Sequence, residues 1–341
     1  MKTAVVILNW NTEGFLKEFL PGLLHSVQNV DGAEVIVADN ASTDGSMTVM
    51  KEYFPSVRTI ELEKNFGFTG GYNKAFDQID SEYFLLINSD IEVTEGWLEP
   101  LVQWMDTHPE CGACAPKLHS WQEREKFEYA GAAGGYIDRF GYPFCRGRVM
   151  KRLETDCGQY DSPADVFWAT GACLMVRSSL YRKLGGLDER FFAHMEEIDL
   201  CWRLRARGRS IVCIPDSRVY HVGGATLSKE NPRKTFLNFR NNLLLLYKNL
   251  PEADLRPVMR LRRLLDYVAA LKFLLSGETG NARAVIRARR EFKRIRNNYT
   301  AARQENLRKA TGDTIPEIMQ KSLLWQYYAK GKKTFTQLHQ P

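Results

Sequence analysis

Four short runs of β-branched and aliphatic residues alternate with helix-like segments over the first 120 residues. No other feature restricts the possible folds as much. The runs are TAVVILNW (3–10), EVIVADN (34–40), VRTIEL (57–62) and YFLLINS (83–89), and helices are expected over 13–28, 44–53, 70–80 and 95–107. Strands and helices alternating at this spacing predict βαβ units and a parallel sheet with helices on both faces. Ligands of such sheets bind beyond the carboxyl ends of the strands. Three runs turn polar at that edge: Asn9-Trp10-Asn11, Asp39-Asn40-Ala41-Ser42 and Asn88-Ser89-Asp90. One polar strand end is a turn, but three on one edge predict a site.

Each stretch admits a plainer reading as well. In VADNASTDGS, Asp39 can accept the imide N–H of a uracil or thymine ring, while Ser42 or Thr43 can serve as a helix cap. NFGFTGGYNKA brings glycines, among them Gly67, into a helix that carries Asn73; such a turn allows close approach of a phosphate, but it matches neither the P-loop nor the dinucleotide fingerprint. A carboxylate at Asp90 suits a hard divalent cation shared with a diphosphate, and is equally a turn residue. His221, in RVYHVGG, closes another short strand as a metal ligand or a structural histidine. Glu196, Glu197 and Asp199 open a helix behind the apolar FFAHM. Acidic residues there favour the helix dipole, but apolar surroundings also raise a carboxylate pKa and suit a general base.

Residues 120–165 read as an irregular, active-site-like loop region. TGACLMV follows as a strand, SSLYRKLGGL and EEIDLCWRLRARG as helices, and SIVCIP and RVYHVGG as two short strands. From about residue 232 the chain becomes amphipathic helix rich in Arg and Lys. The charge splits accordingly, with 24 Lys and Arg against 9 Asp and Glu from 229 onward, and 23 against 32 before it. Two domains are therefore expected, 1–228 and 229–341. The basic helices suit an anionic membrane surface, or plain packing on the first domain. Nucleic acid is not expected, because aromatics do not interleave with the basic runs. Seven cysteines make no disulfide framework, and the CGAC pair at Cys111 and Cys114 lacks a partner pair, so reduced thiols and a cytoplasmic setting are expected. No signal peptide and no membrane-spanning run are read.

VVILNWN, VADNASTDGS, NFGFTGGYNKA, LLINSD, TGACLMVRSSLYRKLGGLDERFFAHMEEIDLCWRLRARG and YHVGG occur in this order. Together they resemble the family 2 glycosyltransferases with the GT-A fold, and most nearly the rhamnosyltransferase-like branch that builds bacterial cell-surface polysaccharides. The resemblance spans residues 3 to about 228. It implies an α/β, mainly parallel sheet with flanking helices, followed by a helical extension. It also implies an inverting transfer from a nucleoside-diphosphate sugar, dTDP-rhamnose or a UDP-hexose, to a hydroxyl of a glycan or lipid-linked acceptor. By resemblance Asp39 reads the base, with Asn9, Asn11, Asn40, Ser42, Gly67, Asn73, Asn88 and Ser89 on the donor side. Asp90 and His221 hold Mg²⁺ or Mn²⁺, Trp168 lines the acceptor side, and Glu197, beside Glu196 and Asp199, is the base.

Two departures from the family pattern stand out. Asn88 replaces the first carboxylate of D-x-D, and Glu197 replaces the commoner Asp, so the base lies between Glu196 and Glu197 with Glu197 favoured. The competing classes are a non-catalytic nucleotide-sugar-binding module and a sugar-nucleotide nucleotidyltransferase. The first needs no paired carboxylates; the second calls for a glycine-rich basic signature that ILNWNTEGFL lacks.

Overall fold

All four runs form strands in the computed structural model, which describes residues 1–223, 231–312 and 314–339. They are β1 (Thr3–Asn9), β2 (Ala33–Asp39), β3 (Arg58–Glu61) and β4 (Tyr83–Ile87). The YFLLI of β4 is buried at every position, as expected of a strand covered on both faces. Helices α1 (Glu13–Val27), α2 (Ser46–Tyr53) and α3 (Gly67–Phe76) connect them. Next come β5 (Ile91–Val93), α4 (Leu98–Thr107) and β6 (Cys111–Ser120).

Region 120–165 is not simply a loop. Its β7 (Gly135–Asp138), β8 (Pro143–Cys145), β9 (Arg148–Val149) and β10 (Arg152–Leu153) join β14 (Ile318–Met319) in a second sheet ordered β10-β9-β8-β7-β14. Strands of two to four residues leave no alternation long enough to read from sequence. The chain then runs through β11 (Ala164–Asp165), β12 (Cys173–Arg177), α5 (Ser178–Lys183), α6 (Glu196–Arg205) and β13 (Ser210–His221). β13 is one strand where two were expected, and its pairing with β6 shifts register between Ile214 and Arg218. Pro215 and Asp216 fall in that irregular stretch and break the apolar run in the sequence.

The main sheet is ordered β11-β13-β6-β12-β4-β1-β2-β3, with β5 added on β13. β1 to β4 pair in parallel, β13 is parallel to β6, and β12 is antiparallel to both β4 and β6. The carboxyl ends of β1, β2, β3, β4, β6 and β13 therefore share one edge. The start of β12 lies on that edge too.

Beyond β13, α7 (Pro232–Asn249) is followed by α8 (Glu252–Leu275), α9 (Thr279–Ile295) and α10 (Thr300–Arg308). Asn231 and Pro232 start α7 as an N-cap and first-turn proline should, with Asn231 Oδ1 accepting from Arg233 N at 2.8 Å. Leu243 to Leu246 are fully buried and belong to the same apolar cluster as Phe84, Leu174 and Phe191. Four consecutive buried leucines mean that this part of α7 is enclosed all round, while its first turn at Pro232 and Arg233 is exposed. The expected boundary at 228/229 lies outside the described residues. Among the described residues no helix is long and apolar enough to cross a membrane. All seven cysteines are free, and Cys111 and Cys114 are buried in β6.

Candidate active site

Register brings the first polar corner together. Asn9 stands opposite Asp39 at the ends of β1 and β2. Asn9 Nδ2 donates to Asp39 Oδ1 at 2.8 Å and to Ser42 Oγ at 3.0 Å, while Ser42 N donates to Asp39 Oδ2 at 2.9 Å. Asp39 is thus clamped at both oxygens, and each keeps a lone pair for a further donor. Asn11 sits at φ 55°, where Asn is tolerated, and its Oδ1 accepts from Thr43 N at 2.7 Å. Asn9 is completely buried, so it holds Asp39 from behind. Ser42 is not the cap of α2. The N-cap position is Gly45, and Asp44 before it accepts from Ser46 N through one oxygen and from Glu13 N through the other, both at 3.0 Å.

The glycine motif is built differently from the expectation. α3 starts at Gly67 because Gly67 takes φ +73° against Phe192, where a Cβ would lie 2.6 Å from that ring. Asn65 Oδ1 accepts from Gly67 N at 2.7 Å, and Phe192 O accepts from Phe68 N at 3.0 Å. These N–H groups of the helix N-terminus are therefore satisfied within the protein instead of by a phosphate. Asn40 is likewise consumed: Oδ1 accepts from Phe66 N at 2.9 Å, and Nδ2 donates to Gly67 O at 3.0 Å. Asn73 is saturated too, bonding Leu187 O at 2.8 Å, Leu187 N at 3.0 Å, Tyr181 Oη at 2.6 Å and Glu189 Oε1 at 3.3 Å. It fastens α3 to the 187–189 segment and leaves nothing for a donor sugar.

Asp90 and His221 are 131 residues apart in sequence and neighbours in space. β5 pairs antiparallel with β13, placing Ile91 opposite His221. Val222 N donates to Asp90 O at 3.0 Å, and Gly223 N to Asp90 Oδ2 at 3.2 Å. His221 Nε2 lies 3.2 Å from Asp90 Oδ1, and Nδ1 lies 3.4 Å from Glu128 Oε1. All three side chains are buried. Burial pulls the imidazole down, but the two carboxylates outweigh it and hold His221 up to about 10. The His221 charge in turn keeps Asp90 below the usual carboxylate range against the effect of burial. Among the described residues no three His, Cys, Asp or Glu form a protein-only metal cage. A cation completed by a ligand would have to displace the proton on His221 Nε2, after which Nε2 and Asp90 would be adjacent donors, with Glu128 beside Nδ1. Sequence reading missed Glu128, which sits in the irregular 120–165 stretch with no motif around it.

The carboxylates of α6 divide by environment. Asp199 is fully buried, accepting from Arg203 Nε at 2.9 Å, Lys248 Nζ at 2.8 Å and Asn249 Nδ2 at 2.9 Å. It is an ion-pair anchor. Glu196 is buried and Glu197 half-buried, and Oε2 of each has no hydrogen-bond partner. Burial pushes both above the usual carboxylate range, and Glu197 beside it pushes Glu196 further. Glu197 touches the turn that starts β12: a Cβ on Gly171 would meet its Cβ at 3.7 Å. One residue on, Ala172 O accepts from Asn88 N at 2.9 Å, so this turn joins the start of α6 to the Asn88–Ser89–Asp90 turn.

The loop leading into α6 is strained. Phe192, His194 and Met195 all have positive φ, a conformation costing about 1–3 kcal/mol per residue. Phe192 (67°, −56°) centres a γ-turn closed by Ala193 N donating to Phe191 O at 2.8 Å. Asn241 of α7 holds the loop, its Nδ2 donating to Phe191 O at 3.0 Å and to Ala193 O and His194 O at 2.8 Å. This residue too was missed, because an Asn within a helical run carries no signal of its distant partner. We expect Asn241→Ala to lower kcat by up to about 10²-fold through misplacement of the α6 start. Nucleoside diphosphate affinity should be kept; a steady-state assay beside titration calorimetry checks both, and unchanged kcat would remove the clamp role.

Trp168 is buried, stacked on Gly135 where a Cβ would lie 2.0 Å away, and its Nε1 donates to Tyr136 O at 2.9 Å. It braces the start of the second sheet and presents no open face to an acceptor.

The model of "Glycosyl transferase family 2" matches residues 4–184. An N-acetylglucosaminyl-diphospho-decaprenol L-rhamnosyltransferase of Mycobacterium tuberculosis is 27% identical over 240 residues, 64% of this chain and 75% of that protein. Among solved structures, GalNAc-T7 with UDP, GalNAc and Mn²⁺ superposes with TM-score 0.58 at 15% identity, over 73% of this chain and 48% of that one. This chain thus spans about half of that protein. S. aureus TarS 1–349 in complex with UDP-GlcNAc gives TM-score 0.55 at 17% identity, over 91% of this chain and 89% of that one. At these identities the structural likeness is one of fold.

Proposed function

The chain belongs to glycosyl transferase family 2 and is a GT-A hexosyltransferase of glycan or polysaccharide synthesis, and from that premise we propose a specific reaction. In it, a sugar passes with inversion from a nucleoside-diphosphate sugar, dTDP-rhamnose or a UDP-hexose, to a hydroxyl of a glycan or lipid-linked acceptor. One observation carries this reading: the polar ends of β1, β2, β4 and β13 share a sheet edge, and the 169–172 turn ties α6 to it. The relative's name, a rhamnosyl transfer onto a diphospho-decaprenol glycan, supports the donor and acceptor classes.

Asp39, held by Asn9 and Ser42, accepts the N–H of the pyrimidine. Asp90 and His221 would hold a divalent cation, Mg²⁺ or Mn²⁺, which offsets charge on the departing diphosphate. Glu197 accepts the acceptor's hydroxyl proton while that oxygen bonds to the anomeric carbon and the bond to the diphosphate breaks. Glu196, more deeply buried, stays protonated beside it. The division into 1–228 and 229–341 is kept as a proposal, with α7 supporting the site from across the boundary.

The test is a thermal-shift and product assay over a panel of nucleoside-diphosphate sugars, with Mg²⁺, Mn²⁺ or a chelator. Stabilisation by one uracil or thymine donor with metal, and release of nucleoside diphosphate, is the expected result. Pyrophosphate release would assign a nucleotidyltransferase instead, and binding without turnover a binding module.

Turnover should also depend on pH in a set direction. A base must be ionised to act, and burial raises Glu197, so activity is lost as pH falls through that raised value. The acid limb of kcat should therefore lie above the ordinary carboxylate value of about 4.3. A limb at or below that value would show that the carboxylate is not desolvated.

A further inference from the structure

Exposed apolar side chains concentrate on one face of the C-terminal helices. On α8, Leu264, Tyr267, Val268, Leu271, Leu274 and Leu275 are each at least half exposed. They recur every three or four residues, so they form a single stripe. Trp325 and Tyr328, in the Trp325–Ala329 turn, are also exposed, and Lys272 Nζ lies 5.6 Å from the Tyr328 ring, which joins that turn to the stripe. Beside the stripe, a groove of about 590 Å³ runs between α8 and α9 and is bordered by Arg283, Arg287 and Arg290. These arginines are exposed and share one face of α9.

The charge around the stripe is mainly positive, with Glu278 past the end of α8 as an exposed exception. Arg260, Arg263 and Lys272 are exposed on α8, whereas Asp266, the acidic residue amid the stripe, is buried between Arg262 and Arg289. Neutralising that carboxylate internally leaves the outer face cationic. A second copy of the chain docking through this face would set arginine against arginine, a destabilising arrangement. An anionic bilayer meets both halves of the pattern. Leucines enter the acyl boundary, Tyr and Trp suit the headgroup level, and Arg and Lys meet lipid phosphates.

We propose that the face formed by α8, the Trp325–Ala329 turn and the arginines of α9 docks onto an anionic lipid bilayer. This deepens the lipid-linked acceptor reading, since a docked enzyme meets such an acceptor at the surface where its lipid is anchored. The docking itself needs no sugar donor, so it is measured apart from that reading.

The experiment is flotation of the full chain with vesicles of phosphatidylcholine alone, or of phosphatidylcholine and phosphatidylglycerol in equal parts. Binding is expected to the mixed vesicles, weakening as salt rises. Leu271→Asp with Leu275→Asp should lower partitioning by about tenfold or more, because two exposed leucines lose their burial in lipid. Arg287→Glu with Arg290→Glu should lower it on anionic vesicles. Both variants alter exposed positions and should keep the thermal midpoint and donor-driven release of nucleoside diphosphate. No binding to the mixed vesicles would overturn the proposal, as would variants that bind like the parent. So would a dimer in light scattering that Leu271→Asp dissociates, which assigns the face to a second copy. Vesicle binding without donor turnover would instead sink the glycosyltransfer reading and leave the docking standing.

Discussion

Glu197→Gln is expected to lower kcat by about 10²–10⁴-fold with nucleoside diphosphate affinity kept, the loss typical of removing a general base. Gln fills the same space and cannot take a proton. The neighbouring Glu196 does not substitute for it, because it is more deeply buried and burial with the adjacent carboxylate holds it well above the usual range. Glu196→Gln should therefore cost much less, and because Glu196 is already protonated while Glu197 titrates, Gln there removes no charge. The acid limb of kcat in that variant should stay where it is in the parent. Stopped-time product assays on both variants decide the matter. Equal losses in the two, or near-parental turnover in Glu197→Gln, would dismiss Glu197 as the base.

Lys248→Met should be the most damaging single change to stability, by about 3–5 kcal/mol, since it leaves buried carboxylates without their cation. Lys248 Nζ lies 2.7 Å from Asp188 Oδ2 and 2.8 Å from Asp199 Oδ2, and the side chain is buried. Burial opposes ionisation of Asp188 and Asp199, but the cations beside them, Arg190 and Lys248 for one, Lys248 and Arg203 for the other, hold both below the usual range. A depressed carboxylate stabilises the fold above its unfolded value, near 3.9, and that stability is lost as pH falls through the folded value. Parental protein should accordingly lose stability only in strong acid. The variant should be weak at neutral pH already and gain relatively on acidification, as protonation relieves the unpaired groups. Urea melts across pH read both effects; a shift under about 1 kcal/mol would mean that Arg203 and Arg190 suffice as partners.

The same residue explains why α7 is inseparable from the site. Lys248 and Asn249 grip Asp199 at the core of α6, and Asn241 grips the loop before it. Removing residues 232–341 would strip these bonds and the buried Leu243–Leu246 together. A chain shortened in that way tests folding, and says nothing specific about membranes.

Strands, helices and the sheet edge were legible because each is written locally. A run such as YFLLI has no polar residue to expose, and a break into Asn88-Ser89-Asp90 marks where burial stops. The three carboxylates of α6 were legible as a set, but their roles were not. Asp199 and Glu197 sit two residues apart on one helix and so face different surroundings, an ion-pair core for one and the 169–172 turn for the other. Asn40 and Asn73 misled for a related reason: an amide in a promising motif can be spent on the backbone around it, and only a full count of its partners reveals that.

The first four strands and the chemistry available at their ends followed from sequence alone, because side-chain period and adjacency are properties of neighbouring residues. Tertiary structure decided which of those groups meet. The β5–β13 register sets Asp90 beside His221, a stretch without motif supplies Glu128, and α7 reaches back to hold a loop in a conformation it would not keep unaided. Such contacts join residues tens to more than a hundred positions apart. Their energy depends on packing around both partners, which no local pattern records.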